Sequence, residues 1–89
     1  MINSQLKQSL KTKAHHLQPV ILIGAKGLTE AVISETNIAL DAHELIKIKI
    51  RGHEKEDCKK ISEILCSQLD AELIQFIGGT FVIYRKKKG

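Results

Sequence analysis

Gly24-Ala25-Lys26-Gly27 joins an apolar run, Val20-Ile21-Leu22-Ile23, to a segment of helical pattern that starts near Thr29. Glycine lets a chain take a positive φ, and it lets a partner come close to the backbone. Between the glycines, the amides of Ala25 and Lys26 can face outward. The free N–H groups of a following helix would lie nearby, and Lys26 adds a mobile positive charge. Donors and charge in that arrangement suit phosphate. The same residues also read as a plain strand-to-helix turn that needs glycine for its geometry. Two longer phosphate loops are excluded. The third glycine of G-x-G-x-x-G is missing, and no G-x-x-x-x-G-K-[ST] occurs. A KH module clamps nucleotides with a GxxG loop, but its loop joins two helices, whereas a strand pattern precedes Gly24 here.

Charge is the second chemical resource. The chain has 14 Lys+Arg against 10 Asp+Glu, a formal charge of +4. That excess is too small to name a partner, but its distribution is informative. Lys7, Lys11, Lys13 and Lys26 lie in a stretch, 1–29, without an acid; Lys47, Lys49 and Arg51 lie in another, 45–51. Arg85, Lys86, Lys87 and Lys88 close the chain, and the acids fall in 30–44 and 54–72. Lys7 and Lys11 are like charges at i, i+4, which a solvated face tolerates and a partner phosphate would compensate. Lys47, Lys49 and Arg51 alternate along a strand pattern at about 6.6 Å, close to the phosphate repeat of an extended single strand.

Catalytic constellations are not found. His15, His16, His43 and His53 have no metal-ligand spacing with Cys58 and Cys66, and no Ser-His-acid or Cys-His-Asn set can be argued. The two cysteines lie eight apart in a helical pattern. That is about 12 Å, too far for a disulfide within the helix, and both read as small apolar fillers in a reducing compartment. No signal-like or membrane-length apolar segment occurs.

The elements that must carry these residues follow from periodicity. Residues 4–16 read as a helix with Ser4 as N-cap and an apolar stripe of Leu6, Leu10 and Ala14; Pro19 ends it. A buried strand, 20–23, leads through the glycine turn to a helix over about 29–42. Thr29 would cap that helix, with Val32, Thr36, Ala39 and Leu40 inward. In 45–51, Ile46, Ile48 and Ile50 point one way and the basic residues the other. A helix over 57–69 puts Cys58, Ile61, Leu65 and Leu69 inward. Gly78-Gly79 then makes a two-residue hairpin turn. That turn sets the register: Ile77 opposite Thr80, Phe76 opposite Phe81, Ile74 opposite Ile83 and Glu72 opposite Arg85. Phe76, Phe81, Ile74 and Ile83 would form the core face. Tyr84 reads as packed at the core edge, with stacking on a base as the alternative.

Taken together, these pieces resemble the CRM domain, the chloroplast RNA splicing and ribosome maturation family, in its bacterial single-domain form. The likeness spans about 4–86. It rests on Leu17-Gln18-Pro19-Val20, the glycine loop, Gly27-Leu28-Thr29-Glu30, His43 to Ile50, and the closing stretch Gly78 to Arg85. It implies a fold similar to the C-terminal domain of translation initiation factor 3. Members of that family bind RNA. The bacterial ones associate with precursors of the large ribosomal subunit, and plant relatives act in group II intron splicing. Their GxxG loop and adjacent basic surface contact RNA, which carries onto Gly24, Ala25, Lys26 and Gly27. Relatives often have a basic or polar residue where Ala25 stands and a lysine in the final hairpin turn, so this chain is charge-poor at both.

The resulting expectations are specific. The chain is a single α/β domain over 1–89, with a core in about 4–86 and a basic tail at 86–89. Its order is α-β-α-β-α-β-β, around a four-stranded mixed sheet. The RNA-contact set is Gly24, Ala25, Lys26, Gly27, Lys7, Lys11, Lys13, Lys47 and Lys49. The partner is ribosomal RNA of large-subunit precursors, with a ribosomal protein as a further partner. The rival reading is a protein-interaction adaptor, using the acidic helix 30–44 and the mixed face of the hairpin. A cytoplasmic monomer is expected, off the membrane, without catalytic residues, metal or cofactor.

Overall fold

Local chemistry sets where each element begins. In the computed structural model, which describes residues 3–86, α1 spans Ser4–Ala14. Its N-cap is Asn3 rather than Ser4: the Asn3 Oδ1 accepts from the Leu6 N–H at 2.7 Å. Both residue types cap well, and the one with extended backbone does so. Lys87 and Lys88 of the expected tail lie outside the described residues. Strand β1 is Pro19–Ile23 and helix α2 is Glu30–His43, capped as expected by Thr29, whose Oγ1 accepts from the Val32 N–H. Strand β2 is Leu45–Ile50. Helix α3, Lys55–Leu69, starts two residues earlier than the sequence reading placed it. The Glu54 carbonyl already accepts from the Cys58 N–H at 2.9 Å. Glu56 and Asp57 then fall in the first turn, where the helix dipole favours carboxylates. Strands β3, Glu72–Ile77, and β4, Thr80–Tyr84, form the closing hairpin. The element order is the expected α-β-α-β-α-β-β.

The strands form one mixed sheet in the order β1-β2-β4-β3. β1 and β2 are parallel, joined by the α2 crossover; β4 runs antiparallel to both β2 and β3. Helices cover both faces. On one, α2 packs on β1 and β2 while α3 packs on β3. Ile21, Ile23, Ile46, Ile48, Ile50, Phe81 and Ile83 are buried there with Leu40, Leu65 and Leu69. Each fully buried Ile or Phe contributes about 1.5–3 kcal/mol. Thr36 and Ser62 are also fully buried on these helices. Their hydroxyls donate to the Val32 and Lys59 carbonyls, so burial leaves no orphan donor. On the opposite face α1 packs on β2 and β3, where Leu10 and Ala14 meet Ile74 and Val82, with Leu17, Leu45 and Tyr84 at the margin.

The hairpin corrects one expectation. Ile77↔Thr80 and Phe76↔Phe81 pair as the Gly-Gly turn dictates, but then the register shifts between Leu73 and Gln75. Leu73, not Ile74, stands opposite Ile83, and Glu72 stands opposite Tyr84 rather than Arg85. The extra residue of such a bulge lets Ile74 and Gln75 share one side. Ile74 therefore leaves the Phe76–Phe81 face and joins the smaller core under α1. Arg85, freed from Glu72, reaches across to α2. It pairs with Asp41 at 2.8 Å, and its guanidinium also donates to the Asn37 side chain and carbonyl and to the Leu69 carbonyl. It ties β4 to α2 and to the end of α3.

Candidate functional site

Three connections meet at the C-terminal end of β2: the glycine loop after β1, residues 51–53 after β2, and the Gly78-Gly79 turn. The Arg51 N–H donates to the Ile23 carbonyl, and the Ile50 N–H to the Gly79 carbonyl. The glycine loop closes on itself by a bond from the Gly27 N–H to the Gly24 carbonyl, 3.0 Å. Gly27 has φ +73 and is buried, so its glycine is required by backbone geometry. Gly24 has neither constraint: no positive φ, and nothing within 4 Å of the position a Cβ would take. The space in front of it is open. Ala25 and Lys26 are exposed, and among the described residues neither N–H donates to a protein acceptor. Two free amides and one lysine thus project at the tip, followed within three residues by the start of α2.

His53 is a part of this site that sequence reasoning missed. Its Nε2 lies 2.9 Å from the Gly24 carbonyl oxygen. A carbonyl only accepts, so the ring donates from Nε2. The ring also lies under Gly27: a Cβ there would be 3.9 Å from its Cε1. Gly52, at φ +81, brings this segment so close that a Cβ would meet the Cα and Cβ of Ala25 at 3.4 Å. The glycine loop is therefore braced from the β2–α3 connection. Only the parallel pairing of β1 with β2 places residues 24 and 53 together; no spacing in the chain announces it.

The lysines separate into groups. Lys47 and Lys49 alternate with the buried isoleucines of β2 and are half-buried on the face that α1 shares. Lys13, from the last turn of α1, lines a groove with Lys47, Leu17 and Val20. Lys7 and Lys11 stay on α1. Their end of the helix begins at Asn3 and Leu6, beside Asp70 and Glu72, and Lys7 lies about 10 Å along the axis from Ala14. They border the site from a distance; Lys49, opposite Leu22, is the strand lysine nearer the glycine loop and Lys26, while Lys47, opposite Pro19, and Lys13 lie toward the start of β1. Tyr84 packs at the edge of the α1 core as expected. Of the mixed hairpin face offered to an adaptor partner, α1 buries Val82 and packs beside Tyr84, while Gln75 and Thr80 stay half-buried and Ile77 exposed. Among the described residues no three His, Cys, Asp or Glu are placed to hold a metal ion, and no helix is long and apolar enough to cross a membrane.

Comparison with known proteins agrees with this architecture. The CRS1 / YhbY (CRM) domain family matches residues 2–85. An RNA-binding protein of Haemophilus influenzae is 42% identical over 84 residues, covering 94% of this chain and 85% of the relative. A Pseudomonas aeruginosa relative, named as a probable RNA-binding protein, is 39% identical over 96% of this chain and 82% of its own length. The solution structure of a Staphylococcus aureus protein, described there as a candidate RNA binder, superposes with a TM-score of 0.87 at 34% identity, covering 100% of this chain and 93% of that one. The chain belongs to the CRM domain family.

Proposed function

We propose that this protein binds RNA, and specifically ribosomal RNA of large-subunit precursors, as a cytoplasmic monomer. The observation that carries the reading is the braced glycine loop: exposed Ala25 and Lys26 amides without protein acceptors, open space before Gly24, and the Lys26 charge. Phosphate oxygens satisfy such donors, and the β2 lysines with Lys13 continue the contact along the backbone. Gly27 contributes shape rather than contact, because it is buried and its N–H is engaged. Family membership and the names of the relatives support RNA as the ligand class. Recognition of this kind is dominated by phosphate and weakens with salt.

The test is an RNA-binding titration over a range of salt. Lys26→Ala is expected to weaken binding and to lower the slope of log K against log salt by up to about one ion. Lys7→Ala, farther from the loop, is expected to change it less. An unchanged affinity and slope for Lys26→Ala, with a ribosomal protein still co-purifying, would replace this reading with the adaptor. Crosslinking in cells, with both the RNA position and the protein residue mapped, tests the large-subunit assignment.

A further inference from the structure

Beyond the C-terminal end of α1 the sheet is left uncovered. Register places Leu22, Lys49, Thr80 and Ile77 in one row across all four strands. Leu22 is 58% and Ile77 65% exposed, unusual values for large apolar residues inside strands. The next row toward the helix is Lys47, Val82 and Gln75. Between these rows and the end of α1, at Ala14 and His15, lies an open depression of about 280 Å³. Ile77 supplies its exposed apolar surface, and Val82, buried under α1, closes it from beneath. Gln75 and Thr80 turn polar groups into it that have no side-chain partner among the described residues. Lys47 stands at its rim.

We infer that this depression is a shelf for one unstacked nucleobase of a single-stranded RNA held by the glycine loop. The inference rests on the RNA-binding reading and deepens it. Three features select this occupant. Neither row contains an acid, and both contain a lysine, so the surface complements a polyanion and opposes an acidic peptide. It is continuous with the glycine loop, because Lys49 lies on β2 just before Arg51, whose N–H holds the end of β1. Its composition is an apolar floor with an amide and a hydroxyl at the edge, which fits a flat ring with donors and acceptors on its rim. Paired RNA keeps its bases stacked and turned inward, so the shelf serves single strands, loops or bulges. Gln75, carrying both donors and an acceptor, is the residue placed to prefer one base over another.

The test compares three probes on the full chain: a single-stranded RNA, the same strand with abasic residues, and a duplex of matched phosphate number. The intact single strand is expected to bind about tenfold tighter than the abasic one, because its base covers Ile77 and meets the Gln75 amide. Ile77→Ser and Gln75→Ala should each cut that ratio to about twofold while leaving the salt slope unchanged. Lys26→Ala should weaken both strands and keep the ratio. Ile77 is exposed, so its variant is expected to keep the wild-type melting temperature; Gln75→Ala provides the same reading if it does not. Equal binding of intact and abasic strands, or an unchanged ratio in both shelf variants, overturns the shelf while RNA binding stands. Equal binding together with loss of a co-purifying ribosomal protein in Ile77→Ser overturns it in favour of protein docking. No measurable binding of any probe overturns the RNA-binding reading and the shelf with it.

Discussion

The two faces of the sheet are built from the same strands and behave as different materials. Under α2 and α3, β1, β2 and β4 present Ile21, Ile23, Ile46, Ile48, Ile50, Phe81 and Ile83, all buried. Under α1 the same strands present Leu22, Lys47, Lys49, Thr80 and Val82, and only the part beneath Leu10 and Ala14 is closed. The difference lies in helix coverage. Two helices of 14 and 15 residues roof the first face, whereas one of 11 residues covers part of the second. Lysine is tolerated on a strand only where its ammonium reaches water. A short α1 is therefore the condition for keeping charged and apolar side chains interleaved on an open surface. Stability is concentrated on one face, and the other is available for a ligand.

The largest effect that could break this contrast is on folding. Phe81→Ala, on the closed face, is expected to destabilise by about 3–5 kcal/mol. Leu22→Ala, on the open face, should stay near 0.5 kcal/mol, as surface substitutions do. Urea unfolding of both variants checks the pair, and comparable losses would show that the open face is a core after all.

The glycines sharpen the same division at the loop end of the sheet. A Cβ on Gly79 would stand 2.8 Å from the Ile50 carbonyl oxygen, a backbone atom that cannot step aside cheaply. Gly79→Ala is expected to cost about 1–3 kcal/mol. Gly24→Ala meets nothing within 4 Å and needs no unusual φ. Its melting temperature should match the wild type while RNA affinity falls, because the added methyl occupies the space where backbone phosphate would approach. Thermal melts beside a binding titration separate the two glycines.

The smallest effect concerns Cys66, on the closed side. Burial, with the Glu72 charge adding to it, pushes its thiol up to about 11. The ordinary value is 9.0. The folded state holds this proton more tightly than the unfolded chain does. Its contribution is complete below about pH 9 and is lost as pH rises from there through 11. A Cys66→Ser variant should show a shallower loss of stability across that window. Cys66 in the native protein should also react slowly with alkylating reagents at neutral pH, since the thiolate is the nucleophile.

Much of this architecture was legible from local patterns. Period-two alternation in Ile46 to Ile50 named both the buried and the basic side of β2. Thr29 marked the start of α2, and Gly78-Gly79 set the first two rungs of the hairpin. What escaped the reading depended on partners distant in the chain. Nothing local distinguishes Leu73 from Ile74 as the residue opposite Ile83, because both are apolar; packing separates them, Leu73 against the larger core and Ile74 under α1. Arg85 looked like the neighbour of Glu72, yet Asn37 and Asp41 reach it because α2 crosses the end of β4. His53 showed no motif, and its role as a brace for Gly24 follows from strand adjacency alone.

By itself the sequence determined which segments are helix or strand, that Thr29 caps α2, and that positive charge and glycine fall on connections and strand faces. Those properties come from backbone sterics and from apolar periodicity over a few residues. Tertiary structure alone decided that three loops meet at one end of the sheet, that a histidine locks the glycine loop, and that α1 stops short of Ile77 and Leu22. Each of these arises from packing between residues tens of positions apart, where burial competes over the whole molecule and no short window records the outcome.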